Sequence, residues 1–133
     1  MVGAIQRAMA RELAELQLEL KKRQWLAALR WNRRMKTCLA SSGVTFTEWL
    51  VLDATRSLVD QSGDAVTQND VARELDLDAM TIWHAMAVLD HRGLVRHARS
   101  LSGKGWRVLL TKQGADLLSA VQPRLQSASA ATH

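Results

Sequence analysis

Apolar residues recur at helical spacing along the N-terminal part of the chain. From Ala4 to Ala40 there is neither Gly nor Pro, and strong helix formers dominate, which predicts one long helix. A first apolar seam consists of Met9, Leu13, Leu16 and Leu20, and a second consists of Ala28, Trp31, Met35 and Cys38. The register slips around residues 21–23, so we expect a bend or a change of packing partner there. The first seam is either a contact with another helix or part of a frayed, solvated end.

The middle of the chain shows two short helical patterns followed by two strand-like runs. Thr67 is placed to cap the first helix, and Asp78 caps a second helix with one buried face. That face consists of Ile82, Ala85, Met86 and Leu89. Gly93 stands where a left-handed residue ends a helix. The runs 94–97 and 106–110, separated by a Gly- and Ser-rich loop, indicate strand, turn and strand. The pattern predicts a mainly α fold with a small β-hairpin wing, a winged helix-turn-helix.

The segments on either side complete the predicted fold. Residues 45–48, with Thr first and Glu fourth, form a capping box that predicts another helix. Residues 65–66 are a candidate third strand beside the hairpin. Thr111 caps a C-terminal helix, in which we expect Pro123 to kink or restart the chain. Residues 127–133 are small and polar, and we expect them to be disordered.

Charge is distributed unevenly along the chain. The 133 residues suit one domain, and the formal net charge is +5. Residues 1–40 contain nine Lys and Arg against three Asp and Glu, whereas residues 41–76 contain two against seven. Residues 77–111 are basic again, with five against two. The long helix and the wing are therefore basic, so a polyanion would bind at these segments and not over the whole surface.

Several classes of protein do not fit the sequence. A single cysteine, Cys38, leaves no intrachain disulfide and no multi-cysteine zinc site. His84 and His91 lie seven residues apart without a third ligand nearby, so we expect no metal, and no catalytic motif is present. We therefore predict a protein that is not an enzyme and has no cofactor. The N-terminus lacks the apolar region of a signal peptide, and no run approaches the ~18 apolar residues of a membrane span, so we expect a cytoplasmic location.

Three motifs resemble those of the MarR family of transcriptional regulators. They are Asp78-Ala79-Met80-Thr81, Leu89-Asp90-x-x-Gly93-Leu94-Val95-Arg96 and Leu110-Thr111-x-x-Gly114. The resemblance implies a homodimer whose N- and C-terminal helices interlock and whose recognition helices enter the major groove of double-stranded DNA. On that basis we predict a sequence-specific regulator of transcription, a repressor, with half-sites about one helical turn apart.

The resemblance divides the single domain into three regions. Residues 1–44 are the N-terminal dimerisation helix, and residues 45–111 are the winged helix-turn-helix DNA-binding region. Residues 112–133 are the C-terminal dimerisation helix with its disordered tail. Within the DNA-binding region the recognition helix spans 78–91 and the basic wing spans 94–110.

Candidate DNA contacts lie at the starts of the two short helices and along the wing. They are Gln68, Asn69, Asp78, Met80, Thr81, Trp83, His84, Arg96, Arg99, Lys104 and Arg107. The family commonly has Ser and Arg at the positions of Trp83 and His84, and an Asp and an Arg in the wing at the positions of Gly103 and Gly105. Trp83 either stacks at the edge of the DNA groove or packs on the neighbouring helix.

The resemblance also implies a pocket for a small aromatic or anionic effector. Its candidate residues are Trp25, Trp31 and Trp49, with Arg30 for a carboxylate, and core packing is the alternative role of these indoles. Cys38 is either an oxidation sensor or, as its apolar seam favours, a small hydrophobe. The departures in the recognition helix and wing leave a second hypothesis, a winged-helix module that binds proteins and does not read DNA.

Overall fold

The computed structural model describes residues 2–63, 66–99 and 105–130. They form α1 (Val2–Leu39), a 3-10 turn (Ala40–Ser42), α2 (Phe46–Ser62), α3 (Gln68–Leu75), α4 (Ala79–His91), β1 (Val95–Arg99), β2 (Trp106–Leu110) and α5 (Lys112–Ala130). This order confirms the predicted mainly α fold with a long N-terminal helix and a β-hairpin wing.

Reciprocal side-chain caps begin α2 and α3. The Thr45 hydroxyl accepts the Glu48 backbone N–H at 3.1 Å, and the Glu48 carboxylate accepts the Thr45 N–H at 3.2 Å. Thr67 and Asp70 repeat this arrangement at 3.2 and 2.9 Å. Each pair satisfies two backbone donors that a helix start leaves without partners, so both helices begin where the sequence predicts.

A single bridge joins the hairpin to the start of α3. Thr67 pairs with Arg107, and the Val108 N–H donates to the Val66 carbonyl oxygen at 2.7 Å. The candidate third strand at residues 65–66 is thus a bridge at Thr67, and Ala65 lies outside the described residues. The bridge fixes the base of the wing to the helical body.

The core forms around α2, which contacts α3, α4, α5 and β2. Its largest fully buried side chains are Met35, Leu39, Leu52, Ile82, Met86, Leu89 and Leu118. Burying each of them stabilises the fold by roughly 1.5–3 kcal/mol. Of the second apolar seam of α1, Met35 is fully buried and Trp31 and Cys38 pack against the core, whereas Ala28 is exposed.

The first apolar seam of α1 is exposed to solvent. The helix runs unbroken through residues 21–23, but its packing changes: residues 2–30 are exposed, and Trp31, Met35 and Leu39 pack on the body. We call residues 2–30 the free arm, which is about 43 Å long at ~1.5 Å per residue. Neither the arm nor any other helix in the described residues is long and apolar enough to cross a membrane.

Two arginines hold the turn between α1 and α2. Arg92 donates to the carbonyl oxygens of Gly43 at 2.6 Å and Ser42 at 3.3 Å. Arg124 of α5 donates to the hydroxyls of Ser41 at 2.6 Å and Ser42 at 3.1 Å. Because Arg92 directly follows α4, these hydrogen bonds join the end of α4 to the N-terminal helix.

Two expectations for the C-terminus are corrected. Pro123 does not restart α5, which continues to Ala130. The ring removes one backbone hydrogen bond, but Val121 and Leu125 are buried on either side of it and keep the helix on the core. Residues 127–130 are helical rather than disordered because the Trp31 indole N–H donates to the Ser129 hydroxyl at 2.9 Å. Residues 131–133 lie outside the described range.

Candidate nucleic-acid interface

The helix α4 has one buried and one exposed face. Its predicted inner residues are all buried, and Asp78 caps its start by accepting the Thr81 backbone N–H at 2.7 Å. The opposite face is exposed and mainly apolar or aromatic. It carries Met80, Trp83, His84, Ala87, Val88 and His91. This face is available to a partner along the whole length of the helix.

Asp78 and Thr81 form a cap that occupies part of the predicted contact surface. The Thr81 hydroxyl donates to Asp78 at 2.8 Å, so both polar groups of Thr81 are bonded to the same carboxylate. The backbone N–H of Thr81 lowers the pKa of Asp78, and its hydroxyl adds to that effect. In this arrangement Thr81 offers a partner its hydroxyl lone pairs rather than its proton.

His97 connects the wing to both helices of the helix-turn-helix. Its Nε2 lies 2.8 Å from Gln68 Nε2, and its Nδ1 lies 3.1 Å from Asp90 Oδ2. The amide nitrogen of Gln68 can only donate, so Nε2 accepts and Nδ1–H donates to Asp90. Gln68, a predicted phosphate contact, is therefore half-buried and engaged, whereas its neighbour Asn69 is exposed.

The two faces of the wing carry different basic residues. Val95 pairs with Leu110, His97 with Val108 and Arg99 with Trp106. Paired residues share a face, and alternate residues along a strand point the same way. Because Val95 and Val108 are fully buried, the face with His97, Arg99 and Trp106 is the inner one. Arg96 and Arg107 lie on the outer face, Arg96 exposed and Arg107 half-buried. Lys104 and Gly103 lie outside the described residues.

A groove of about 740 Å³ separates α4 from the wing. Thr67, Gln68, Asn69, Trp83, Ala87, Asp90, His97, Gly105 and Trp106 line it. A second hollow of about 390 Å³ lies between α3 and α4, and Trp83 is shared by the two. Trp83 is 56% exposed and contacts His84 edge to face, so it stands at the rim rather than under the neighbouring helix. Among the residues that line the groove, sequence reasoning missed Trp106, although strand alternation places it with Val108.

A separate cavity of about 400 Å³ lies between α1, α2 and α5. Trp31 and Trp49 line it, as predicted for an effector pocket, and both pack on Phe46 with ring centroids 5.3 and 5.8 Å away. The polar side chains in the lining are those of Asp53, Arg56, Gln122, Gln126 and Ser129, and Arg56 is ion-paired with Asp53 at 2.9 Å. Trp25 and Arg30 do not line the cavity, because on a helix they point about 120° and 100° away from Trp31.

The described residues contain no metal-like cluster of three or more His, Cys, Asp or Glu side chains. Cys38 is half-buried and packs against the core. The arrangement most suited to a partner is therefore the exposed face of α4 with the adjacent groove and wing.

No protein-family model and no curated protein match this sequence. Solved structures do match its fold. A MarR-family transcriptional regulator from Rhodococcus sp. RHA1 is 20% identical, with a TM-score of 0.74 over 86% of this chain and 78% of that one. The chain has the fold of the MarR family.

Two further structures with this fold contain a bound partner. MepR from S. aureus, solved as a DNA complex, is 19% identical, with a TM-score of 0.67 over 77% of this chain and 71% of that one. CouR from Rhodococcus jostii RHA1, bound to p-coumaroyl-CoA, is 22% identical, with a TM-score of 0.65 over 76% and 68%. The resemblance to the MarR family is thus confirmed at the level of the fold.

Proposed function

We propose that this chain is a homodimeric transcriptional regulator that binds double-stranded DNA sequence-specifically and acts as a repressor. One observation carries the proposal. The capped helix α4 is buried on one face and presents the other beside a groove that the wing closes. The MarR fold supports duplex DNA as the occupant, since MepR, which has the same fold, was solved with DNA.

In this proposal α4 lies in the major groove, which is wide enough to admit a helix. Met80 contacts a thymine methyl group, while Thr81 and His84 reach base edges. The start of α3 and the wing contact the DNA backbone and fix the position of the protein along the duplex. These backbone contacts come from Gln68, Asn69, Arg96, Arg99, Lys104 and Arg107. Asp78 acts through the cap, since a carboxylate would repel a phosphate, and Trp83 packs at the groove edge.

The free arm supports a second copy of this chain as a partner. Eight large apolar residues on it are more than half exposed, and six of them lie on one side: Val2, Ile5, Met9, Leu13, Leu16 and Leu20. On a helix they fall within a stripe about 80° wide. An apolar row of this length left in water promotes association. The arms of two chains would cover each other's stripes and set the spacing of the two α4 helices.

The cavity between α1, α2 and α5 supports a small effector. Trp31 and Trp49 provide aromatic walls, whereas the charge of Arg56 is neutralised by Asp53 in the same lining, so the cavity suits an aromatic effector better than an anionic one. An effector that prefers a dimer geometry unfit for DNA would release the protein from DNA by population shift.

The competing function is a protein-binding module. The observation that favours it is the apolar outer face of α4, where Met80 is 63%, Trp83 56% and Val88 41% exposed. In-vitro selection from a random duplex pool separates the two. A regulator should enrich a pseudo-palindromic motif with half-sites about one helical turn apart. Recovery of unenriched sequences would reject specific DNA binding.

The selected motif also tests the role of Thr81. Thr81→Ala should relax base preference more than it lowers total affinity, whereas Thr81→Ser should retain the preference because it keeps the hydroxyl. An unchanged preference in Thr81→Ala would remove Thr81 from base recognition. A reporter gene placed behind the selected site should be transcribed less when the protein is present, and increased transcription would make it an activator.

A further inference from the structure

We propose that Trp106 positions Arg99 as the phosphate-binding cation of the wing, at the mouth of the groove beside α4. The inference rests on the proposed DNA-binding function. It adds a residue outside the predicted contacts and selects one basic residue of the wing over the others.

Strand register brings the two side chains together. Arg99 and Trp106 are the last pair of the hairpin and share its inner face. The guanidinium carbon of Arg99 lies 5.5 Å from the centroid of the Trp106 ring, within the range of a cation–π contact. Trp106 is 53% exposed and lines the groove opposite Trp83, so the pair stands where a DNA backbone would pass between α4 and the wing.

The cation–π contact is compatible with phosphate binding. A guanidinium that contacts a ring through its flat face keeps its in-plane N–H groups for a bidentate phosphate contact. No carboxylate in the described part of the chain lies within ion-pair distance of Arg99. The groove's own carboxylate, Asp90, is bonded to His97.

The strand that carries Trp106 is anchored at the base of the wing. Val108, two residues along the same face, is fully buried, and its N–H donates to the Val66 carbonyl at 2.7 Å. The strand that carries Trp106 is therefore anchored to the body two residues from the indole, and Arg99 contacts that indole. Arg96 is not held by Trp106 in this way, because it lies on the opposite, outer face of the hairpin.

The test is the salt dependence of binding to one selected duplex. Arg99→Ala should weaken binding to all sequences alike and reduce the slope of log K against log salt by about 1. Trp106→Ala should reduce the slope by a similar amount, whereas Trp106→Phe should retain the original slope. The double variant Arg99→Ala with Trp106→Ala should reduce the slope little more than either single change. Lys36→Ala is the matched control, because it removes an exposed cation of α1 outside the proposed DNA contacts, and it should leave the slope nearly unchanged.

A measurement on the free protein tests the pairing separately. The indole ring current should shift the Arg99 side-chain proton resonances upfield, and this shift should vanish in Trp106→Ala and persist in Trp106→Phe. If the unchanged chain shows no upfield shift of the Arg99 side-chain protons, the inference is overturned, whether or not the protein binds DNA.

The two proposals fail differently. If the unchanged chain does not bind duplex DNA, both the proposed function and the phosphate role of Arg99 are overturned. If it binds a selected duplex with an unchanged salt slope in Arg99→Ala or Trp106→Ala, or if the two changes add fully, only this inference is overturned.

Discussion

Single side chains decide where the helices of this protein begin. The Thr67 hydroxyl accepts the Asp70 backbone N–H, and the Asp70 carboxylate accepts the Thr67 backbone N–H. These two hydrogen bonds fix the first turn of α3. At Asp78 one carboxylate takes both polar groups of Thr81 and fixes the first turn of α4. The starts of α3 and α4 therefore depend on local chemistry visible in the sequence.

Thr67→Ala should lower the free energy of unfolding by about 1 kcal/mol, because it removes the acceptor for the Asp70 N–H. Thr67→Ser keeps that acceptor and should change stability little. Urea denaturation at a fixed protein concentration measures both variants. Equal stability of Thr67→Ala and the unchanged chain would show that the cap does not stabilise the fold.

The caps also predict acid sensitivity. The Thr67 N–H lowers the pKa of Asp70, and the Thr81 N–H lowers the pKa of Asp78, both from a usual value of 3.8. On acidification the unfolded chain takes up these protons before the folded one does. The stabilisation is therefore complete above pH 3.8 and is lost as the pH falls below 3.8 through the folded pKa values.

Asp70→Asn with Asp78→Asn should flatten that loss, since asparagine still caps a helix but does not titrate in this range. Urea midpoints between pH 7 and about pH 3 give the comparison. The pH dependence would contradict the prediction if it were identical in the variant and the unchanged chain.

At the scale of elements, the motif around Gly93 and the motif around Thr111, which both resemble the MarR family, contact each other. The Thr111 hydroxyl donates to the Gly93 carbonyl at 2.7 Å and accepts the Gly114 N–H at 3.0 Å. Gly114 is buried against the turn after α4, where an added Cβ would lie 2.2 Å from the Leu94 carbonyl oxygen. The start of α5 is therefore fixed to the turn that follows α4.

Gly114→Ala should destabilise the protein by roughly 1–3 kcal/mol, because backbone must move to admit the methyl group. Gly3→Ala is the matched control: it is also a helical glycine, and its added Cβ would be in ordinary contact with Arg7 at 3.5 Å. That variant should be unchanged or slightly more stable. If Gly114→Ala unfolds at the same urea concentration as Gly3→Ala, the close approach at Gly114 is wrong.

Sequence patterns predicted the elements that depend on local signals and missed those that depend on packing. Caps, apolar periodicity and glycine positions predicted α2, α3, α4 and both strands. The end of α5 did not follow from its small, polar residues, because its order comes from the long-range bond between Trp31 and Ser129. The candidate site divided in the same way. The exposed face of α4 was predictable, whereas the engagement of Gln68 by His97 depends on residues 29 positions apart.

At the scale of the whole molecule, the free arm is the largest feature that the single chain leaves unexplained. Its apolar stripe has no counterpart on the body of the same chain among the described residues. A second arm would cover it, and the hydrogen bonds of Arg92 to the turn after α1 would then relate the dimer to the end of α4. The geometry of such a dimer would thereby influence the distance between the two α4 helices.

Leu13→Asp with Leu16→Asp should convert the protein to a monomer, because two carboxylates would be buried in an apolar contact. Ala10→Asp with Ala14→Asp adds the same charge to the same arm but outside the stripe, and should leave a dimer. Light scattering gives the mass of each variant. A dimer that persists after both leucines are changed would remove the stripe from the interface.

The affinity for a selected duplex relative to a scrambled duplex of the same length shows whether α4 reads a DNA sequence. Fluorescence anisotropy at one fixed, near-physiological salt concentration should give a ratio of roughly 10³ or more in favour of the selected sequence. Binding to both duplexes should weaken steeply as salt is added. Equal affinity for the two duplexes at every salt concentration would contradict the account of α4 as a helix that reads DNA.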